Sequence, residues 1–221
     1  MNQATWTAVD EFVSEVMIGP DVVQKETLRR NAEEELPSID VAPNQGKMLY
    51  LLAKIRGAKR ILEIGTLGGY STIWLARALP ADGRLVTLEF SPKHAAVAKE
   101  NIARAGFAER VEIRVGPALE SLAELAGEGE GAFDLIFLDA DKPNNPNYFE
   151  WAMRFSRPGT VIIGDNVVRD GEVVDAASKD EAVLGSRQLL EKMGADARLE
   201  ATAIQTVGMK GYDGFAMGVV R

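Results

Sequence analysis

The stretch Arg60-Ile61-Leu62-Glu63-Ile64-Gly65-Thr66-Leu67-Gly68-Gly69-Tyr70-Ser71 constrains the fold of this chain more than any other. A short apolar run reads as a buried strand, glycines follow it, and Tyr70 to Leu79 has helical spacing. Glycines between a strand and a helix let backbone N–H groups approach a ligand closely at the helix N-terminus. In a doubly wound sheet this first turn lies at the carboxyl edge of the strands, where cofactors bind. A dinucleotide turn needs G-x-G-x-x-G. Here Leu67 takes the second glycine position and Tyr70 the third, which would crowd a pyrophosphate. What remains, Glu63-x-Gly65-x-x-x-Gly69, is a looser turn beside a carboxylate that repels phosphate but would hold a cation or a hydroxyl.

The rest of the chain repeats the strand–helix unit. Strand 84–89 precedes a helix over 92–105, and strand 110–115 a helix over 117–126. The apolar run Phe133–Leu138 precedes a helix over 146–156, and strand 160–164 a helix over about 178–193. This spacing predicts right-handed crossovers and a parallel sheet covered on both faces. Residues 197–207 and 214–220 have only Gly208–Asp213 between them and should pair as an antiparallel hairpin. Upstream, Val9, Phe12, Val13, Val16 and Met17 recur at helical spacing within 4–18, and a more polar helix runs from Asp21 to about Glu35. Having no strand to cross over, these two helices form a cap, of a kind that covers a pocket or a partner subunit. A helix over Asn44–Ile55 is expected to turn Met48, Leu49, Leu51, Leu52 and Ile55 inward.

The expected fold class is therefore α/β: a doubly wound, mostly parallel seven-stranded sheet with a C-terminal antiparallel hairpin and N-terminal cap helices. One domain over 1–221 accommodates it, with the helical cap at 1–37 and a Rossmann-like core at 38–221. A net charge of -8 argues against nucleic acid as a partner, since phosphate contacts need a basic face. The absence of cysteine removes disulfides, thiolate metal sites and thiol nucleophiles. No apolar run approaches the roughly 20 residues that span a bilayer, and the N-terminus does not read as a signal peptide. A cytoplasmic protein without membrane contact is expected.

Chemistry-bearing residues gather at strand ends. Glu89 closes the second strand, where an acid can accept both hydroxyls of a ribose. Gly116-Pro117-Ala118 follows the third strand and would lie beside an adenine. The fourth strand ends in Asp139-Ala140-Asp141-Lys142 and the fifth in Gly164-Asp165-Asn166. Parallel strands finish at one edge, so Asp139, Asp165 and Asn166 should converge beside the crevice. Two carboxylates and an amide oxygen suit Mg²⁺, Mn²⁺ or Ca²⁺ rather than zinc, and three protein ligands leave part of an octahedral shell open.

Taken together, Leu62-Glu63-Ile64-Gly65…Gly69-Tyr70-Ser71, Gly116-Pro117-Ala118-Leu119, Leu138-Asp139-Ala140-Asp141-Lys142 and Gly164-Asp165-Asn166 resemble the cation-dependent, S-adenosylmethionine-dependent O-methyltransferases. That family includes catechol and caffeoyl-CoA O-methyltransferases, and the resemblance runs from about Val41 to the C-terminus. It implies Asp139, Asp165 and Asn166 as ligands of a divalent cation. It also implies Val41, Glu63, Gly65, Thr66, Ser71, Glu89, Ala118 and Asp139 as contacts of S-adenosylmethionine, and Lys142 as the catalytic base. The implied acceptor is a small vicinal-dihydroxy aromatic, and the helical cap makes a homodimer the expected assembly.

The implied reaction is physically coherent. A cation chelated by adjacent hydroxyls lowers the pKa of one of them, and a partly desolvated Lys142 could take its proton. The phenolate would then attack the sulfonium methyl in line. The chain departs from its relatives after Lys142, where Pro143-Asn144-Asn145-Pro146-Asn147-Tyr148 lengthens the step to Asn-Tyr and stiffens the loop. Basic N-terminal residues suited to a CoA ester are not evident. His94 reads as a solvated residue, and Tyr148, Phe149 and Trp151 as core or pocket rim. Competing readings are a nicotinamide-dependent oxidoreductase, a non-catalytic module that binds the methyl donor, and a methyltransferase for another small-molecule nucleophile.

Overall fold

The computed structural model describes residues 2–221. Helices α1 (Gln3–Met17), α2 (Val22–Glu33) and α3 (Pro43–Arg56) precede β1 (Arg60–Ile64) and α4 (Tyr70–Ala78). There follow β2 (Arg84–Glu89), α5 (Pro92–Arg104), β3 (Val111–Val115), α6 (Ala118–Gly127), β4 (Leu135–Leu138) and α7 (Asn145–Arg154). β5 (Val161–Asp165), α8 (Glu181–Ala195), β6 (Leu199–Gly208) and β7 (Gly211–Val220) complete the chain. The sheet order is β3-β2-β1-β4-β5-β7-β6. β1 to β5 are parallel, and β7 runs antiparallel to both β5 and β6. Strand order reverses between β1 and β4, which opens a crevice at their carboxyl ends.

Both faces of the sheet are covered, which is why its central strands are apolar without alternation. On one face Leu62, Ile64, Ile136 and Leu138 pack with Leu122, Leu125, Phe149 and Leu189. On the other, Ile61, Leu135 and Phe137 pack with Leu49, Trp74 and Leu75. Each such fully buried side chain contributes roughly 1.5–3 kcal/mol.

Three details differ from the sequence expectation. β4 begins at Leu135, because Asp134 just before it accepts from the backbone N–H groups of Lys59 (2.8 Å) and Arg60 (3.0 Å). The hairpin is tighter than six residues: pairing continues to Gly208↔Gly211, leaving Met209-Lys210 as its turn. In α3 it is Gly46, Leu49 and Ala53 that face inward, while Leu51 and Ile55 are exposed. Gly46 sits against the Trp74 ring, where a Cβ would stand 2.3 Å from a ring carbon, so the missing side chain lets α3 approach α4 closely at this point.

In the cap, whose facing the periodicity left open, the apolar stripe turns outward. Val9, Phe12, Val16 and Met17 of α1 are exposed, and the buried residue of that helix is Asp10. Its carboxylate accepts from Asn44 Nδ2 and from the Met209 N–H, both at 2.8 Å. α2 likewise buries Gln24, Thr27 and Asn31. Gln24 Nε2 donates to the Tyr70 carbonyl at 3.1 Å, and Asn101 Nδ2 donates to Asn31 Oδ1 (3.0 Å) and to the Gly68 carbonyl (2.9 Å). The cap is thus bonded to the first turn and the hairpin by polar groups. Helical periodicity locates an apolar stripe but does not say which way it faces.

Candidate active site

A cavity of about 760 Å³ occupies the carboxyl edge of the sheet. Gly65, Thr66, Leu67 and Ser71 of the first turn form part of its wall, with Val41 from the segment before α3. Gly65 (φ 102°), Leu67 (φ 49°) and Gly69 (φ 85°) all lie in the left-handed region. A Cβ on Gly65 would stand 2.2 Å from the Asp139 carbonyl oxygen, and one on Gly68 would stand 1.9 Å from Asn31 Oδ1. Glycine is needed here for the turn to nest against β4 and α2, as well as for any ligand.

Glu63 does not line the cavity. It lies fully buried beneath the turn and accepts from Ser71 Oγ (2.6 Å), Thr87 Oγ1 (2.8 Å) and Thr72 Oγ1. Its place is to hold Ser71, which does face the cavity. Burial pushes the Glu63 carboxyl up to about 7, against the pull of the three hydroxyls. A carboxyl raised from its ordinary 4.5 stabilises the fold fully below pH 4.5 and loses that contribution as pH rises through about 7. Glu63→Gln should therefore gain on the wild type by roughly 3 kcal/mol between pH 5 and 8. Urea unfolding of both proteins over that range measures it; a constant difference would assign Glu63 no such titration.

Glu89, expected as a ribose acceptor, already organises the turn. Its Oε2 accepts from the N–H groups of Thr66 (3.2 Å) and Leu67 (2.8 Å), and Oε1 from Ser91 N–H (2.9 Å). A carboxylate has about four lone-pair sites, so one remains for a ligand. His94 corrects its sequence reading. It is a half-buried wall residue with Nδ1 3.4 Å from Glu89 Oε1. Ala118 lines the cavity between Pro117 and Leu119.

At the opposite wall the β4–β5 register pairs Leu138 with Gly164, which sets Asp139 and Asp165 side by side one residue beyond. Asp139 and Asn166 line the cavity, whereas Asp165 lies just behind its wall at 4% exposure. Asp165 Oδ1 accepts from the Asn166 N–H (2.9 Å) and Oδ2 from Gln45 Nε2 (2.7 Å). Burial and the adjacent Asp139 charge hold the Asp165 carboxyl well above the usual carboxylate range. Lys142 Nζ donates to Asp139 Oδ1 at 2.8 Å. Among the described residues no three His, Cys, Asp or Glu side chains gather to hold a metal. A cation here would need the amide oxygen of Asn166 as its third protein ligand. Two crowded carboxylates, an amide and an open cavity side fit a hard divalent cation.

The proline-rich segment after Lys142 is regular. Lys142–Asn144 form a 3₁₀ turn that runs into α7, with Pro143 and Pro146 in first-turn positions where no N–H is needed. Gly185 of α8 packs on the Lys142 carbonyl, leaving 2.0 Å for any Cβ. Tyr148 is buried, lines the cavity and donates to Asp141. Four further residues went unread in the sequence. Asp40 and Arg169 line the cavity, Phe90 forms its exposed rim, and Gln45 reaches Asp165. Asp40, Phe90 and Arg169 each lie within three residues of a named site residue (Val41, Glu89 and Asn166), whereas Gln45 is delivered by α3 to Asp165, remote in sequence.

The O-methyltransferase family profile matches residues 16–214. A catechol O-methyltransferase from Niastella koreensis is 51% identical over 221 residues, covering 100% of each chain. A catechol O-methyltransferase from Mycobacterium tuberculosis is 53% identical, over 96% of this chain and 95% of that one. An O-methyltransferase from Bacillus cereus, solved in complex with SAH, is 59% identical and superimposes with a TM-score of 0.98 over 100% of both chains.

Proposed function

The chain belongs to the O-methyltransferase family, and from that premise we propose that it moves a methyl group from S-adenosylmethionine to one oxygen of a catechol-like aromatic diol, with a divalent cation. The observation that carries this reading is the pairing of Asp139 with Asp165-Asn166 across the β4–β5 register, at the edge of the cavity formed by the glycine turn. The catechol O-methyltransferase relatives at 51% and 53% identity support the acceptor class. The SAH-bound relative supports the donor, SAH being what S-adenosylmethionine leaves after giving up its methyl.

Asp139, Asp165 and Asn166 would hold the cation, which when bound acidifies one of two chelated hydroxyls. The backbone of Gly65 and Thr66, with Val41, Ser71, Glu89 and Ala118, would orient the donor. Glu63 contributes by fixing Ser71. Lys142 would receive the acceptor's proton at Nζ; its position is fixed by Asp139 on one side and by the α8 contact on the other. Aligning acceptor oxygen and methyl carbon is then the main task left to the cavity walls. The same reading includes a homodimer, in which a second copy would cover the exposed Val9, Phe12, Val16 and Met17. Among the described residues no helix is long and apolar enough to cross a membrane.

The test is methyl transfer to catechol and to caffeate with and without Mg²⁺. Turnover with Mg²⁺ that falls to background in EDTA and returns on adding Mg²⁺ is expected. Full activity in EDTA would remove the cation from the reading, and inertness toward every catechol would remove the acceptor.

A further inference from the structure

The cavity wall carries one cation that the proposed reaction does not use. Lys142 is paired with Asp139 and His94 faces Glu89. Arg169 is different. Its Nε is buried without a hydrogen-bond partner, and its nearest carboxylate, Asp213, stands 3.9 Å from Nη1. Among the described residues its guanidinium donates no hydrogen bond. The Nε is enclosed by protein, but the side chain is 35% exposed and its Nη groups make no such bond, so the fork keeps donors for an acceptor in the cavity.

The backbone fixes this side chain against the cavity. Asn166, Arg169 and Asp170 all have φ of 54°, three left-handed non-glycine residues within five positions. Asp213 on β7 holds the segment by accepting from the N–H groups of Val168 (2.9 Å), Arg169 (3.0 Å) and Gly214 (2.9 Å). Asp213 Oδ1 is thereby committed to the backbone. Arg169 and Asn166 then face one cavity from the same loop. Asp139, Asn166 and Arg169 line the same cavity, so an acceptor held at the first two would lie in the space that Arg169 also borders. A guanidinium presents a planar fork of N–H donors that matches a carboxylate.

We infer that Arg169 selects acceptors that carry a carboxylate as well as the vicinal diol. The inference rests on the aromatic-diol reading of this site. With a net charge of -8 the chain offers an anion no general attraction, so any preference for an acid over its neutral ester must arise locally.

The experiment compares 3,4-dihydroxybenzoate with its methyl ester as acceptors for the wild type, Arg169→Gln and Arg169→Lys, at saturating S-adenosylmethionine and Mg²⁺. The wild type should prefer the acid. In Arg169→Gln the acid-to-ester ratio of kcat/KM should fall by roughly tenfold to a hundredfold, the size of a charge-assisted hydrogen bond, chiefly through KM for the acid. Arg169→Lys, which keeps the charge but loses the fork, should lie between. Calorimetric binding of the acid to the SAH-loaded proteins should follow the same order. An unchanged ratio in Arg169→Gln, or a wild type indifferent between the two, overturns the role of Arg169 while leaving the diol reading intact. The wild-type ratio decides alone should Arg169→Gln not fold. Methylation of neither compound overturns the diol reading and this inference with it.

Discussion

Asp165→Ala is expected to lose turnover by about a thousandfold, the several kcal/mol that a bound cation contributes, while still binding the methyl donor. Asp165 lies behind the cavity wall and is not among the proposed donor contacts, so donor affinity should change little. The metal-free fold should not suffer either. A carboxylate that burial and Asp139 hold well above its ordinary range is a poor source of stability, and its removal relieves that repulsion. Gln45 loses an acceptor but is half-buried and can turn to water. Three measurements check this: Mg²⁺ binding by calorimetry, donor binding by the same method, and the thermal midpoint without metal. Undiminished turnover would remove Asp165 from the site. A collapse of the midpoint together with turnover would make its role structural.

The second large effect is expected at Gly65. Alanine there must adopt φ near 102° and place its Cβ 2.2 Å from the Asp139 carbonyl oxygen. Neither partner is a flexible side chain, so the turn and the end of β4 must move apart. A loss on the order of 3–5 kcal/mol follows from strain and overlap together. Because the displaced strand end carries Asp139, donor and Mg²⁺ affinities should fall together. Gly127→Ala is the control: it closes α6, a Cβ there meets nothing within 4 Å, and its effect should stay within about 0.5 kcal/mol. Urea unfolding compares the two. Equal midpoints would contradict the close approach of the first turn to β4.

The two effects differ in how visible their causes are in the chain. That residue 65 had to be glycine could be argued from its place between a strand and a helix. That its neighbour is the Asp139 carbonyl could not, because residues 65 and 139 meet only where β1 and β4 pair. The same division runs through the site. Asp139, Asp165, Asn166, Lys142 and Glu89 stand at strand ends, and a parallel sheet necessarily brings strand ends to one edge. Gln45, Asp40 and His94 arrive from helices and loops whose docking no local spacing encodes. Glu63 was found by its position in the first turn, but its orientation beneath that turn, toward three hydroxyls, depends on Thr87 of β2.

The cap shows the limit most directly. Val9, Phe12, Val16 and Met17 form a proper helical stripe, yet they face outward while Asp10, Gln24 and Asn31 face the core. Buried polar side chains are stable only when hydrogen-bonded, and their partners (Asn44, the Tyr70 carbonyl, Asn101) come from distant elements. The amino-acid sequence alone determined the alternation of strands and helices, the glycine turn and the oxygen-rich strand ends, because each is set by neighbours along the chain. Tertiary structure alone decided which helix faces are inward, what lies beneath the turn and which cation of the cavity donates no side-chain hydrogen bond. Those depend on contacts between residues that only folding brings together.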